Sequence, residues 1–324
     1  MKKRIKLLLL FCIIILIGVI YSGWKKDSEY KESYDSKKYK YKIGVVLKSM
    51  DSEYTLSLKS GILGAGEDFK TNSVIVYPRS EIDVKAQNIM IKDLLNSDID
   101  AIVICPCDST NSKDYMDLAK KRGIPVFSID TDIYDENEIY IGSDNFHIGE
   151  LAGQYMHEKI GNEGKVAILS GTLIASPHYQ RAEGFKEYIK KNSSLEVVYE
   201  DEAYCSFLEG VKKTKEIFDK YPHINGIFST NATMALGIVD RMEFMKIKRE
   251  IPIIGVDTQS DSIGKVLDGK IAAMVSQNGY DIAYETIKTV VRYLDGEEIN
   301  KNIYTKSELI TKENAKEYLK IIDK

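Results

Sequence analysis

The sequence predicts an α/β chain with two doubly wound parallel-sheet lobes joined by a three-strand hinge, for three reasons. Short β-branched apolar runs alternate with longer amphipathic segments, the pattern of βαβ units. About ten such runs occur, more than one sheet of ordinary size takes up. The order of elements in the first half recurs in the second, although no sequence repeat links the halves.

The expected strands of the first half are Ile43–Leu47, Val74–Tyr77, Ala101–Ile104, Val126–Ile129 and Ile139–Gly142. Those of the second are Val166–Leu169, Val197–Tyr199, Gly226–Ser229, Ile253–Val256 and Ala272–Val275. Most are almost continuously apolar, as strands covered by helices on both faces are. Between them, Tyr54–Phe69 carries Leu58, Ile62, Leu63 and Ala65 at helical spacing, and Lys85–Leu95 repeats this with Ile89, Ile91, Leu94 and Leu95. The first series ends near Ser143-Asp144-Asn145, and a new helix starts at Phe146. The expected lobes are residues 42–144 with 278–306, and 145–277 with 307–324. The hinge crossings fall near Ser143–Asp144, Gln277–Asn278 and Ser307–Leu309.

Ahead of the folded part, Lys2, Lys3, Arg4 and Lys6 precede an apolar run from Leu7 to Ile20, extended by Tyr21 and Trp24. A positive start followed by an apolar stretch directs export. Tyr21-Ser22-Gly23-Trp24 fits a cleavage site poorly, and Cys12 lies inside the run rather than after it. Residues 1–24 are therefore expected to remain as a signal and single-pass membrane anchor, placing the rest of the chain outside the cytoplasm. Residues 25–41, charged and Tyr-rich without an apolar period, read as a polar stalk.

Lys and Arg number 45 against 49 Asp and Glu, a net charge of −4 that argues against a nucleic-acid-binding face. The four cysteines, Cys12, Cys105, Cys107 and Cys205, form no readable disulfide framework or zinc knuckle. No cofactor or metal motif is present, and the four histidines show neither triad nor metal spacing. The sequence therefore predicts a binding protein and not an enzyme.

In open α/β sheets, ligands bind beyond the carboxyl ends of the strands. Asp51 and Tyr54 follow the first strand, Asp108 the third and Asp130 the fourth. In the second half, Asn231, Asp257 and Gln277 follow strands, with Tyr179 and Tyr204 nearby. Such residues are also ordinary helix N-caps, so each one alone is ambiguous. Their recurrence at nearly every strand end favours a polyhydroxylated ligand. A sugar hydroxyl both donates and accepts, matching Asp, Asn and Gln, while an aromatic wall suits the ring's apolar face.

The segments Ile43-Gly44-Val45-Val46, Gly123-Ile124-Pro125-Val126, Ile141-Gly142-Ser143-Asp144-Asn145, Arg181-Ala182-Glu183-Gly184-Phe185, Asn231-Ala232-Thr233-Met234-Ala235-Leu236-Gly237 and Ile254-Gly255-Val256-Asp257 stand in a telling order. With them, residues 42–309 resemble the ribose/galactose/xylose branch of the type I periplasmic binding proteins. The resemblance implies sugar contacts from Asp130, Asn231, Asp257 and Gln277, with Tyr54 as a stacking aromatic and Asp108 on the third-strand loop. It also exposes departures. Thr131 stands where the family often has Arg, Tyr179 replaces a second ligand-binding Arg, and Cys205 replaces a stacking aromatic beside Tyr204. Arg181 matches an arginine read as structural. These departures point away from ribose towards a pentopyranose such as D-xylose. With the anchor, the chain looks most like membrane-associated xylose-binding members that partner a sensor histidine kinase. The alternative is the substrate-binding subunit of a sugar ABC importer, with an ABC permease as partner.

Overall fold

A computed structural model describes residues 38–322. The chain begins β1 (Tyr41–Val46), α1 (Glu53–Phe69), β2 (Thr71–Val76), α2 (Val84–Leu95), β3 (Ala101–Ile104), α3 (Lys113–Arg122), β4 (Val126–Ile129) and β5 (Ile139–Ser143). It then enters a second unit: α4 (Asn145–Ile160), β6 (Glu163–Ser170), α5 (Ser176–Asn192), β7 (Ser194–Glu202), α6 (Phe207–Lys220), β8 (Gly226–Ser229), α7 (Ala232–Phe244), β9 (Ile253–Val256), α8 (Ser260–Leu267) and β10 (Ala273–Val275). The helix α9 (Gly279–Leu294) returns to pack on α1, and β11 (Asn302–Thr305) follows it. The chain ends with β12 (Leu309–Ile310) and α10 (Ala315–Ile322), the latter packed on α8.

Two six-stranded sheets result, ordered β11-β5-β4-β3-β1-β2 and β12-β10-β9-β8-β6-β7. The chain passes between them after β5, after β10 and between β11 and β12. Every ladder is parallel except β12 on β10. The strands β3, β4, β8 and β9 are buried along their whole length because helices cover both faces. Each sheet accordingly has two apolar cores. One face of the first sheet packs Val45, Val103 and Phe127 beneath α1 and α9, and the other packs Ile102 and Ile104 beneath α2 and α3. In the second lobe, Phe185 of α5 stacks on Phe228 of β8 at 4.8 Å.

Helix ends are fixed locally. Ser52 caps α1 by accepting from the Thr55 amide, Asp144 caps α4 through His147, and Asn278 caps α9 through Tyr280 and Asp281. Close helix packing needs glycine at the helix seams. A Cβ on Gly61 of α1 would collide with the Tyr280 carbonyl of α9, and one on Gly184 of α5 with the Phe146 carbonyl of α4.

Two details depart from the sequence reading. The strands β11 and β12 were not expected, and Tyr41, assigned to the stalk, starts β1 and donates to Asp295 at 2.6 Å. The predicted anchor, and the stalk up to residue 37, lie outside the described residues. No described helix is long and apolar enough to cross a membrane.

Candidate functional site

The carboxyl ends of both sheets face one another across a cavity of ≈ 450 Å³. The lobes meet at its edges. Glu53, on the first turn of α1, accepts from the backbone N–H and hydroxyl of Ser260, at the start of α8, at 2.9 and 2.6 Å. Elsewhere the Ser109 amide donates to the Ile174 carbonyl at 2.9 Å, and Gln180 donates to Asp132 at 3.1 Å.

The same backbone device presents an aspartate from each lobe. Asp130 follows β4 with φ 65°, and Asp257 follows β9 with φ 92°, a region that L-residues seldom occupy. Each is held there by its own amide, which donates to the neighbouring strand: Asp130 to the Ile141 carbonyl at 2.9 Å, Asp257 to that of Val275 at 3.0 Å. Tyr204 and Cys205, beyond β7, also have positive φ.

The two carboxylates have different surroundings. Asp130 accepts from the Tyr54 hydroxyl at 2.5 Å and from the Gln277 amide at 3.1 Å on one oxygen, and from Thr131 at 2.9 Å on the other. Asp257 accepts only from the Ala232 amide, at 3.3 Å, among the described residues. Burial pushes its carboxyl up to about 7, against the pull of Arg181. Asn231 uses its side-chain oxygen to cap α7 through the Met234 amide, leaving its NH₂ on the cavity wall. Capping and wall-lining are thus compatible roles.

Arg181 is buried, and each of its three guanidinium nitrogens makes a hydrogen bond. It donates to Asn145 at 2.9 Å, to the Thr230 carbonyl at 2.8 Å and to Gln277 at 2.8 Å. It therefore holds Gln277 in place, while itself lining the cavity. Beside it, His178 has its two ring nitrogens 2.9 Å from the Thr230 hydroxyl and 3.2 Å from the Cys205 sulfur. Burial, Arg181 and Lys48 hold His178 neutral, and burial keeps Cys205 a thiol. The pair therefore lacks the thiolate that a nucleophile requires.

Of the sequence-predicted residues, Asp51, Tyr54, Asp130, Tyr204, Asn231, Asp257 and Gln277 line this cavity. Asp108 and Tyr179 do not. The Asp108 carboxylate turns onto its own loop, accepting from the amide and hydroxyl of Thr110 at 2.8 and 2.7 Å. Tyr179 sits two residues before Arg181 on α5, about 200° around the helix, and so points outward at 49% exposure. Lys48, Glu81 and His178 line the cavity without having been predicted, and Cys205 lines it at the position where the resemblance has a stacking aromatic. The available signal for Lys48 was its position two residues beyond β1.

A family model described as a periplasmic binding protein domain matches residues 43–298. The chain belongs to the periplasmic binding protein family. The ribose import binding protein RbsB of Bacillus subtilis is 26% identical over 306 residues, covering 94% of this chain and 97% of that protein. A solute-binding protein of Agrobacterium vitis solved with bound D-fucose superposes with a TM-score of 0.81 at 27% identity, covering 84% of this chain and 96% of the other. The XylFII-LytSN complex contains a chain matching at TM-score 0.79 and 26% identity, with 85% and 98% covered. Like its periplasmic binding protein relatives, the chain is a binding protein rather than an enzyme, and its two parallel-sheet lobes are the type I form of the fold.

Proposed function

We propose that this chain is an extracytoplasmic, membrane-anchored binding protein for a monosaccharide, with D-xylose the first candidate. Closure of its lobes on the sugar is read by a sensor histidine kinase in the same membrane. One observation carries the sugar reading: both lobes turn short polar side chains from strand ends into a single cavity. There, Asp257 and the Asn231 amide keep hydrogen-bonding capacity while Tyr54 supplies an aromatic surface. A ring hydroxyl can donate to Asp257 and accept from Asn231 at once. The bound sugar in a structural relative and the import function named for a sequence relative point to the same ligand class.

The kinase reading rests on the family resemblance, on the predicted anchor, and on a structural relative that is itself part of a two-protein assembly. The importer reading stands as its alternative because RbsB is named as an import protein. Thermal shift of the full-length chain against pentoses and hexoses tests the ligand. One sugar should raise the melting temperature in a saturable way, by mass action, and a flat response to all of them contradicts the reading. Co-purification from membranes with and without that sugar separates the partners. A histidine kinase recovered more strongly with sugar supports signalling, and permease subunits alone support import.

A further inference from the structure

Lys48 is 8% exposed, yet its ammonium makes no hydrogen bond to any described residue. Its nearest carboxylate oxygen, on Asp130, lies 4.0 Å away, beyond hydrogen-bonding distance. That carboxylate is already taken up by Tyr54, Gln277 and Thr131. A buried ammonium with three unmet N–H donors is costly unless something accepts from it. The side chain lines the cavity. It emerges from the end of β1, so it lies on the first lobe's wall between Asp130 after β4 and Glu81 beyond β2.

We propose that Lys48 is a ligand-contacting, specificity-determining residue that donates to a hydroxyl or ring oxygen of a neutral sugar. Glu81, on the same wall, accepts from a neighbouring hydroxyl. An ammonium and a carboxylate that line one cavity without pairing suit a vicinal diol, whose oxygens accept from one and donate to the other. The carboxylates of Asp51, Glu81, Asp130 and Asp257 outnumber the cations of Lys48 and Arg181 in the lining and would repel a sugar acid or sugar phosphate. Burial would drive the proton off Lys48, but the carboxylates of Asp130 and Glu81 nearby favour the ammonium, so the group stays charged. Thr131 carries no cation, and the positive charge beside Asp130 comes instead from β1.

This inference rests on the sugar reading, and its test separates the two. D-xylose, D-ribose, D-glucose and D-glucuronate are titrated calorimetrically into the full-length chain and into Lys48→Met. A neutral sugar should bind the parent, the acid should not, and Lys48→Met should weaken the neutral sugar about tenfold to a hundredfold. Equal binding by the variant overturns the role of Lys48 and leaves the sugar reading intact. Tight binding of the acid overturns the neutral class. If no sugar binds the parent, both readings fall. Because Lys48→Met could fold poorly, the parent labelled with ¹⁵N-lysine provides a second readout. A slowly exchanging ammonium signal should appear on adding the neutral sugar and be missing in Lys48→Arg, and its failure to appear counts against the contact.

Discussion

Asp257 is the one cavity aspartate whose charge is left largely to the ligand. Its folded carboxyl titrates near 7, above the ~3.9 of an unfolded aspartate. The ligand-free fold therefore holds an extra proton. That stabilisation is fully present below about pH 4 and is lost as pH rises through about 7. A sugar hydroxyl donating to Asp257 favours the ionised form and shifts the equilibrium back. Sugar binding at about pH 6 should then release close to one proton, and affinity should rise towards pH 8. Calorimetry in buffers of different ionisation enthalpy reads the proton directly, and none released contradicts an ionised Asp257 in the complex. Asp130, Asn231, Asp257 and Gln277 were legible because each stands one or two residues beyond an apolar strand. Lys48 and Glu81 were not, since a lysine or glutamate in a loop ordinarily lies in solvent and only the packed lobes bury them. Asp108 obeyed the same strand-end rule and failed it, its carboxylate being consumed by the Thr110 turn.

At the level of elements, the parallel strands were readable because burial on both faces removes polar residues from them. The strands β11 and β12 escaped because they are short sheet-edge pieces with mixed burial. A bulge in β7 was equally hidden. Val166 pairs with Val197 and Ala167 with Tyr199, so Val198 is the extra residue. It places Leu195 and Tyr199 in cores on opposite faces, where a regular strand would put them on one. The contact between α1 and α8 has a sharper consequence. Glu53 sets a carboxylate on the N-terminus of α8, where the backbone amides and helix dipole favour it. It can do so only when the lobes are closed. Glu53→Ala should weaken sugar binding about fivefold to thirtyfold, largely through faster dissociation. Stopped-flow release measures this, and an unchanged rate would show that closure does not depend on the contact.

For the whole molecule, the two lobes repeat one arrangement. A strand ends in an aspartate at positive φ, its amide anchored to the next strand, and the two carboxylates face a common cavity. Three crossings join the lobes, and short segments of this kind absorb the rotation in hinge closure. A ligand held by both lobes favours closure only through its stronger interaction with the closed form. A partner that grips both lobes then reports the sugar, and linkage requires sugar to bind more tightly in that partner's presence. All of this depends on a sugar seated between Asp257 and the facing lobe. The most direct measurement is calorimetric titration of D-xylose, alongside the sugar selected by thermal shift, into the full-length chain and into Asp257→Ala. The account predicts one site per chain in the parent and at least a tenfold loss of affinity in the variant, about 1.4 kcal/mol or more. Equal affinity in a folded Asp257→Ala chain would place the sugar elsewhere and contradict it.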